Sequence, residues 1–365
     1  MKINEIISVL ETIANPSLQE TYDNAGLITG DRDWTCTGIV CSLDAIEEVV
    51  NEAIEKKCNL IVAHHPIVFS GLKKINGQNY VEKTIIRAIK NDIAIYAIHT
   101  NLDNVLRGVN GKIAAMLGLK NITPLSFKEN TLKKLFTFVP VDKAEVVRDA
   151  IFTSGGGFIS NYSECSFNSE GIGTFKGNDN TNPYVGKPGE QHQEKELKIE
   201  VIIPAYLENR IVTAMIKAHP YEEVAYDVVP LSNRNPVTGS GIIGNLTNEL
   251  DEDDFLQQLK DTFHVPVVRH TEKTGRKIKT IACCGGAGSF LISNALAAGA
   301  DAYVTADIKY HEFFDANSQL LLADIGHFES EQFTIDLLQE VLEEKFPNFA
   351  VLKTEVKTNP VRYFL

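Results

Sequence analysis

The sequence predicts an α/β protein in which a discontinuous α/β domain with a mostly parallel sheet is interrupted by a smaller, ferredoxin-like α+β domain. Two observations predict this architecture. In the first and last thirds of the 365 residues, short apolar segments alternate with segments of helical apolar spacing, which is typical of a parallel sheet covered on both faces. Between about Leu132 and Leu231 this pattern gives way to two loosely similar strand, helix, strand units.

The first third contains three predicted strands joined by two predicted helices. The strands are the apolar runs at residues 37–42, 59–65 and 93–99, and the helices are residues 44–57 and 80–92. Because ligands collect beyond the carboxyl ends of parallel strands, we expect the residues that close these strands to meet at one sheet edge.

The last third repeats the alternation and ends in a long helix. The predicted elements are strands at 277–285, 302–307 and 319–327 and helices at 289–300, 310–318 and 330–346. Because the two outer parts share one pattern, we predict that residues 1–128 and 234–365 form a single domain.

Residues 129–233 form the predicted inserted domain. In its two units Pro140 and Pro204 each end a strand, and a helix begins a few residues later, which gives the split βαβ arrangement of ferredoxin-like domains. The Gly-rich stretch between the units has no GxGxxG or Walker pattern and so gives no phosphate-binding signal. The run Gly155–Gly157 indicates a turn rather than an anion cradle.

The composition is that of an ordinary globular protein, with 44% hydrophobic and 23% charged residues. A net charge of -13 argues against a sequence-independent grip on nucleic-acid phosphates, so nucleic acid is not an expected partner. The N-terminal apolar stretch carries carboxylates, and no run approaches the ~18 apolar residues of a membrane span. We therefore expect a cytoplasmic protein that does not bind membranes.

The six cysteines form no CxxC pair and no regular framework. We expect most of them to be buried thiols, as in a reducing compartment. The adjacent Cys283 and Cys284 could act as soft metal ligands, but their apolar surroundings favour a strand that ends in a Gly turn.

Candidate metal ligands follow predicted strands in three separate stretches. They are His64 and His65 in VAHHPIVF, His99 and Asp103 in IHTNLD, and His327 and Glu331 in DIGHFESE. The four-residue spacing of the last pair places both side chains on one helix face, as in helical zinc motifs. Three strand ends with the same residue types predict a metal site.

The donor types indicate which metals would bind. Imidazole with carboxylate suits zinc, iron(II), manganese or nickel, and the lack of thiolates argues against a closed structural zinc site. Because successive side chains of an extended segment point to opposite sides, His64 and His65 would serve two neighbouring ions, with Asp103 or Glu331 between them. Two ions about 3.5–4 Å apart can catalyse hydrolysis.

Each of these residues also has an ordinary structural interpretation. A lone histidine at a strand end is more often a simple polar residue, and Pro66 could set a turn after the histidine pair. Asp103 could cap a helix over NVLRGVNGKIAAML. Agreement among the three strand ends favours the metal site over these alternatives.

Five motifs in the two outer parts resemble those of the Nif-three-like family, whose members are often labelled GTP cyclohydrolase I type 2 homologues. The motifs are DNAGLITGD at Asp23–Asp31, AHHPIVF at Ala63–Phe69, HTNLD at His99–Asp103, TADIKYH at Thr305–His311 and GHFESE at Gly326–Glu331. The middle region resembles the inserted PII/CutA-like domain that some members of the family carry. This resemblance rests on the order of the strands and on the segment AHPYEEVAYDVV.

The resemblance implies a dinuclear centre with zinc as the first expectation and iron or manganese as alternatives. The metal ligands that it implies are His64, His65, Asp103, His327 and Glu331. It places His99 and His311 outside the ligand set, as groups for proton transfer, together with Asp307 and Lys309. Ala306 departs from the family's usual Gly, which matters only if that position needs a positive φ.

The resemblance also implies a toroidal homohexamer built from trimers and a cyclohydrolase reaction on GTP. Two classes of function stay open. The first is a metal-dependent hydrolase of a nucleotide or another small molecule. The second is a non-catalytic regulatory or scaffold hexamer that binds metal and senses a small ligand through its inserted domain.

Overall fold

The computed structural model describes residues 1–364, and the chain divides into two compact units. Unit 1 combines Met1–Phe127 with Val237–Leu365, and unit 2 is Lys128–Pro236. The strands are β1 Gly26–Thr29, β2 Ile39–Asp44, β3 Leu60–His65, β4 Ala94–Ala97, β5 Lys120–Phe127, β6 Leu132–Pro140, β7 Phe167–Phe175, β8 His192–Pro204, β9 Tyr226–Leu231, β10 Gly239–Leu250, β11 Arg269–His270, β12 Ile278–Ala287, β13 Ala302–Ala306, β14 Leu321–Asp324 and β15 Val351–Lys353. The α-helices are α1 Ile3–Ile13, α2 Glu47–Glu55, α3 Tyr80–Lys90, α4 Thr100–Asp103, α5 Val109–Met116, α6 Ala144–Thr153, α7 Glu208–Ala218, α8 Glu252–Phe263, α9 Ile292–Ala297, α10 His327–Glu331 and α11 Thr334–Lys345.

The first sheet of unit 1 has five strands in the order β1, β4, β3, β2, β15. All neighbours are parallel except β1, which runs antiparallel along β4. The strands predicted in the first third of the chain are confirmed as β2, β3 and β4. In β3, Ile61 and Ala63 pack in a cluster with residues of α2 and α3, whereas Leu60 and Val62 face the main core. His64 continues the second of these faces and is fully buried.

The second sheet of unit 1 has six strands in the order β11, β14, β13, β12, β10, β5. Its centre, β12 to β14, is parallel, and these are the three strands predicted in the last third. The strands β11, β10 and β5 join it antiparallel. Val304 and Ala302 of β13 face the same core as Leu60 and Val62 of β3, so one core lies between the two sheets.

The predicted strands of the first third share one sheet edge, as expected, but those of the last third lie in a second sheet. The outer parts of the chain form one compact unit, but they build two sheets. The reason is that β10, which was not predicted, pairs with both β12 and the equally unpredicted β5, so the second half forms a sheet of its own. The predicted ligands therefore come from both sheets.

Three predicted helices differ from the structure in their limits or in their type. The helix expected at 330–346 begins earlier, at His327, and is broken by a turn between α10 and α11. The helix expected from Asn104 begins only at Val109, after Gly108. The segment Tyr310–Ala316 is a 3₁₀-helix, which suits short connectors.

Unit 2 has the ferredoxin-like fold that the sequence predicted. Its elements follow the order β6, α6, β7, β8, α7, β9, and its sheet has the order β7, β8, β6, β9 with every pair antiparallel. Residues Leu135 and Val139 of β6 form a core with Val147 of α6 and Ile211 of α7. Gly155 and Gly157 have positive φ after α6, which confirms a turn in this segment.

The longest α-helices within residues 1–364 have 12 residues, and none of them is long and apolar enough to cross a bilayer.

Candidate metal centre

The structure brings the five predicted metal ligands of unit 1 together. His64 and His65 end β3, Asp103 ends the single turn α4, and His327 and Glu331 are the first and last residues of α10. These elements follow β3, β4 and β14, so the cluster lies beyond the carboxyl ends of parallel strands of both sheets.

The carboxylate of Glu331 is the centre of the cluster and is only 3% exposed. Its Oε2 lies 3.0 Å from His65 Nε2 and 3.2 Å from His327 Nε2. Its Oε1 lies 3.8 Å from His64 Nε2, which is 3.7 Å from Asp103 Oδ1. Two groups of ligand atoms therefore share Glu331, and within each group all the ligand atoms lie within 4.8 Å of one another.

Hydrogen bonds at Nδ1 fix the orientation of the imidazole rings. Each Nδ1 lies 2.7–2.8 Å from an oxygen acceptor: Ile98 O for His64, Asp44 for His65, Asp307 for His327 and Asp23 for His99. When Nδ1–H donates in this way, the lone pair is on Nε2, the nitrogen that metals bind. For three of these rings Nε2 faces Glu331.

Two buried atoms at the centre have no hydrogen-bond partner among residues 1–364. They are His64 Nε2 and Asp103 Oδ1. A buried polar atom without a partner costs about 1–3 kcal/mol, so such atoms are rare unless a ligand satisfies them. Both atoms are acceptors when the imidazole is neutral and the carboxylate ionised, and one cation between them would satisfy both. The residues therefore fit a metal ion.

The charges in the cluster depend strongly on one another. Burial lowers the pKa of His65, but hydrogen bonds to Asp44 and Glu331 outweigh this effect and raise the pKa to about 10. Burial also lowers the pKa of His327, but the hydrogen bond to Glu331 and the charge of that carboxylate outweigh this effect and raise the pKa to about 9. Burial and repulsion from Glu331 raise the pKa of Asp103 to about 7. Burial also favours a higher pKa for Glu331, yet the imidazoles hold it well below its usual range.

Two glycines make room for α10 and its glutamate. Gly326 has φ 89° and turns the chain from β14 into α10. Gly286 has φ +61°, and a Cβ there would lie 2.5 Å from Glu331 Oε1. The close approach of β12 to the carboxylate therefore requires glycine at position 286.

The predicted residues outside the ligand set have different outcomes. His99 forms a third cluster of ligand atoms with His64 and His65. Asp307 contacts His327, but Lys309 is exposed and its backbone N–H is capped by Glu312.

His311 is not part of the cluster within one chain. It is exposed on the 3₁₀-helix and its ring contacts those of Tyr310 and Phe314. Ala306 does not have a positive φ, so its departure from Gly introduces no strain.

The structure decides two of the structural alternatives, the helix cap at Asp103 and the strand at Cys283 and Cys284. Asp103 caps no helix over Asn104–Leu117, because it ends α4 and the next helix begins at Val109. Cys283 and Cys284 are buried in β12, as the strand interpretation predicted, and burial raises the pKa of Cys283 to about 12. The described clusters of metal-ligating atoms contain no cysteine.

Two carboxylates that hold imidazoles of the cluster were not predicted as individual residues. Asp44 closes β2 and accepts a hydrogen bond from His65. Because it also lies at the carboxyl end of a parallel strand, the same rule that predicts the ligands would also have predicted this residue. Asp23 holds His99 Nδ1 and also accepts from the backbone N–H of Thr100 at 3.0 Å. Its motif was noted, but nothing in the local pattern pairs it with a histidine 76 residues away.

Two cavities flank the cluster. One, of about 440 Å³, is lined by His99, Asp103 and Glu331 together with the aromatic rings of Tyr22 and Phe69. The other, of about 470 Å³, includes Asp44 and His327 beside the Arg269 side chain. A small molecule could therefore reach the ligand atoms from either side.

The fold and the cluster define an α/β protein with a partly buried group of histidines and carboxylates at the carboxyl ends of strands from two sheets. The chain belongs to the family described as Duf34/NIF3 (NGG1p interacting factor 3), whose sequence model matches residues 1–360. This confirms the resemblance that the five motifs indicated.

Relatives and a solved structure match nearly the whole chain. A protein of Halalkalibacterium halodurans called GTP cyclohydrolase 1 type 2 homolog is 39% identical over 363 residues, which cover 98% of each chain. The Bacillus subtilis protein of the same name is 37% identical over 365 residues, again with 98% of each chain covered. The crystal structure of a Bacillus cereus protein related to NIF3 superposes with a TM-score of 0.87, at 39% identity, and covers 100% of this chain and 99% of that one.

Proposed function

We propose that unit 1 binds two divalent metal ions and acts as a metal-dependent hydrolase. The proposed ligands are His64, His65, Asp103, His327 and Glu331. The observation that carries the proposal is the position of the buried Glu331 carboxylate, with one oxygen toward each of two groups of ligand atoms. A carboxylate in this position can bridge two cations.

Each ion would have its own set of donors. The first would lie among His65, His327 and Glu331, and the second among His64, Asp103 and Glu331. The second set contains the two buried atoms that lack hydrogen-bond partners. The first contains the two imidazoles with raised pKa values, where a cation would replace protons.

Imidazole nitrogen and carboxylate oxygen suit several divalent ions. We propose zinc as the resident metal, with iron(II) and manganese as the alternatives to be tested. Three protein donors per ion leave coordination positions for water or substrate, as in catalytic rather than structural sites.

Two neighbouring divalent ions activate water at neutral pH and stabilise the attacking and leaving groups of a hydrolysis. The residues of the chain would support this chemistry in separate ways. His99, held at Nδ1 by Asp23, lines the cavity beside the ligands and is placed to transfer a proton. Tyr22 and Phe69 line the same cavity and could stack on a planar ring.

The substrate that we propose is a nucleotide. Its support is the name of the relatives, GTP cyclohydrolase 1 type 2 homolog, together with the aromatic wall of the cavity. We also propose a homohexamer as the assembly, supported by the resemblance to the family and by the exposed aromatic side chains of Tyr310 and Phe314. Sedimentation velocity of the full chain tests the assembly, and a monomer at micromolar concentration would contradict it.

Turnover assays with zinc, manganese and iron(II) against GTP, other nucleotides and phosphoesters test the hydrolase. We expect metal-dependent turnover of a nucleotide that falls about 100-fold or more in His99→Ala, because that variant loses a proton-transfer group, while both ions remain bound. A surface variant, Glu340→Gln, is the control for handling and folding. If no metal supports turnover although two ions bind, the protein is a non-catalytic metal-binding protein and the hydrolase proposal fails.

A further inference from the structure

We propose that unit 2 binds a compact organic ammonium ion in a cavity built around the buried carboxylate of Glu196. The cavity has a volume of about 640 Å³, and all the residues that line it belong to unit 2. The proposal is therefore independent of the metal centre in unit 1.

The carboxylate of Glu196 is buried without a cationic partner. The residue is 8% exposed, and its Oε1 accepts a hydrogen bond from the Tyr221 hydroxyl at 2.7 Å. Among residues 1–364 no lysine, arginine or histidine forms an ion pair with it. An ionised carboxylate in such a place is costly unless a positive charge approaches it.

The second oxygen of Glu196 is held against the backbone of β7. A Cβ at Gly173 would lie 2.1 Å from Glu196 Oε2, so the carboxylate occupies the space that a side chain at position 173 would take. Burial raises the pKa of Tyr221, and its hydrogen bond to Glu196 raises it further, so the phenol stays a donor at neutral pH. One carboxylate oxygen is thus satisfied by the Tyr221 hydroxyl, and the residue lines the cavity that we propose as the ligand site.

Neighbouring basic groups are already engaged. His219 is 7% exposed, its Nε2–H donates to Phe138 O at 2.9 Å, and its Nδ1 accepts from the Tyr221 N–H at 3.1 Å. Burial lowers the pKa of His219, so this imidazole is neutral. Lys198 pairs with Glu200 at 2.9 Å. Neither of these groups pairs with Glu196, and the positive charge that we propose for the site is that of a ligand.

Aromatic rings line the same cavity as the carboxylate. The ring centroid of Tyr221 lies 6.1 Å from that of Phe175 and 6.3 Å from that of Tyr184, and all three residues line the cavity. The faces of such rings attract cations, and an aromatic cage with a carboxylate is the usual receptor for quaternary and other organic ammonium groups.

The charges of the lining favour a cation as well. It contains four carboxylates against two lysines: Glu170, Glu196, Glu222 and Glu223 against Lys176 and Lys198. This excess of negative charge would repel an anionic ligand, and a neutral ligand would leave Glu196 without a cationic partner. A hydrated metal ion would gain little from the aromatic walls, whereas a compact organic ammonium ion uses both features.

Calorimetric titration of the full chain at low ionic strength tests the site. The probes are choline and butylammonium, and the matched neutral compound is 3,3-dimethylbutan-1-ol, which has the shape of choline without its charge. We expect at least one ammonium probe to bind saturably and about tenfold or more tightly than the neutral compound. The titration extends to about 10 mM probe, which would nearly saturate a weak site with a Kd of about 1 mM. The proposal is wrong if neither ammonium ion binds in this range, or if the neutral compound binds as tightly as the ammonium ions.

Two variants locate the binding. Glu196→Gln keeps an acceptor for Tyr221 but removes the charge, and it should weaken ammonium binding about tenfold or more. Tyr184→Ala removes a half-exposed ring and should weaken it about three- to tenfold. The matched control is Glu208→Gln, which removes the same charge from unit 2 at an ion pair with Lys133 outside the cavity.

Circular dichroism and thermal unfolding show whether the variants fold. Tyr184 is 48% exposed, so its variant keeps the test valid if the buried substitution does not fold. Wild-type affinity in folded Glu196→Gln, or an equal loss in Glu208→Gln, would overturn the proposed site. Two bound metal ions per chain are expected in every one of these variants, because no altered residue belongs to unit 1.

Discussion

Each unit of this molecule buries a glutamate beside a glycine, and the two glutamates differ in what surrounds them. Glu331 in unit 1 lies beside Gly286 and faces imidazole nitrogens. Glu196 in unit 2 lies beside Gly173, accepts from a phenol and lines a cavity with aromatic rings. Nitrogen lone pairs can coordinate a metal ion, whereas ring faces attract a cation without forming bonds to it. The same buried charge is therefore expected to select different ligands.

The largest effect is expected for Glu331→Gln in unit 1. The substitution removes the negative charge that both ion positions share, so metal affinity should fall by more than about 100-fold, beyond the effect of a group that only orients a ligand. Elemental analysis after dialysis measures the loss. Glu340→Gln removes an equal charge at an exposed pair with Lys112 and should keep both ions. Two ions retained by Glu331→Gln would show that this carboxylate does not hold them.

A smaller effect is expected for Asp44→Asn. Asp44 accepts from His65 Nδ1 at 2.8 Å and orients Nε2 toward Glu331. Its loss should weaken metal binding about 10- to 100-fold, as for other carboxylates behind a metal-binding histidine. Competition with a chelator measures the affinity, and Asp33→Asn at an exposed pair with Lys2 is the control. An unchanged affinity in Asp44→Asn would contradict this role.

Metal binding at unit 1 should release protons. Because the pKa values of His65 and His327 are raised to about 10 and about 9, both imidazoles hold protons at neutral pH and must lose them to coordinate a cation. We expect about two protons per chain to be released at pH 7–8, and tighter binding as the pH rises toward 9. Calorimetry in buffers of different ionisation enthalpy counts the protons. Binding without proton release would mean that these imidazoles are not ligands.

The smallest effects are expected when a substitution in one unit is tested for ligand binding at the other unit's site. Gly286→Ala would push a Cβ to 2.5 Å from Glu331, and Gly173→Ala would push one to 2.1 Å from Glu196. Each should weaken binding at its own site severalfold and change the other site by less than about twofold, since the two sites share no residue. Metal analysis and choline titration on both variants measure the four effects. A large effect of either glycine variant on the other unit's ligand would show that the two sites are coupled.

The cluster of proposed metal ligands was predictable from the sequence because its histidines lie at or just after strand ends. A strand end is recognisable from an apolar run, and the carboxyl ends of parallel strands are where ligands collect. His64 and His65 after β3 and His327 after β14 follow this rule. The ferredoxin-like unit was predictable for a similar reason, since strand, helix, strand order is local.

The remaining features depend on distant pairing. Nothing local indicates that β5 pairs with β10, a strand more than 100 residues later, and this pairing divides the outer unit into two sheets. The contact of Asp23 with His99 and the aromatic cavity around Glu196 likewise join residues from separate elements. Such contacts arise from tertiary packing rather than from periodicity.

The most direct test of the metal centre is anomalous diffraction from crystals of the metal-loaded full chain, collected at the zinc, iron and manganese edges. We expect two peaks per chain, one contacted by His65, His327 and Glu331 and the other by His64, Asp103 and Glu331. A single peak, or peaks away from Glu331, would contradict the bridging carboxylate on which the proposed two-metal centre depends.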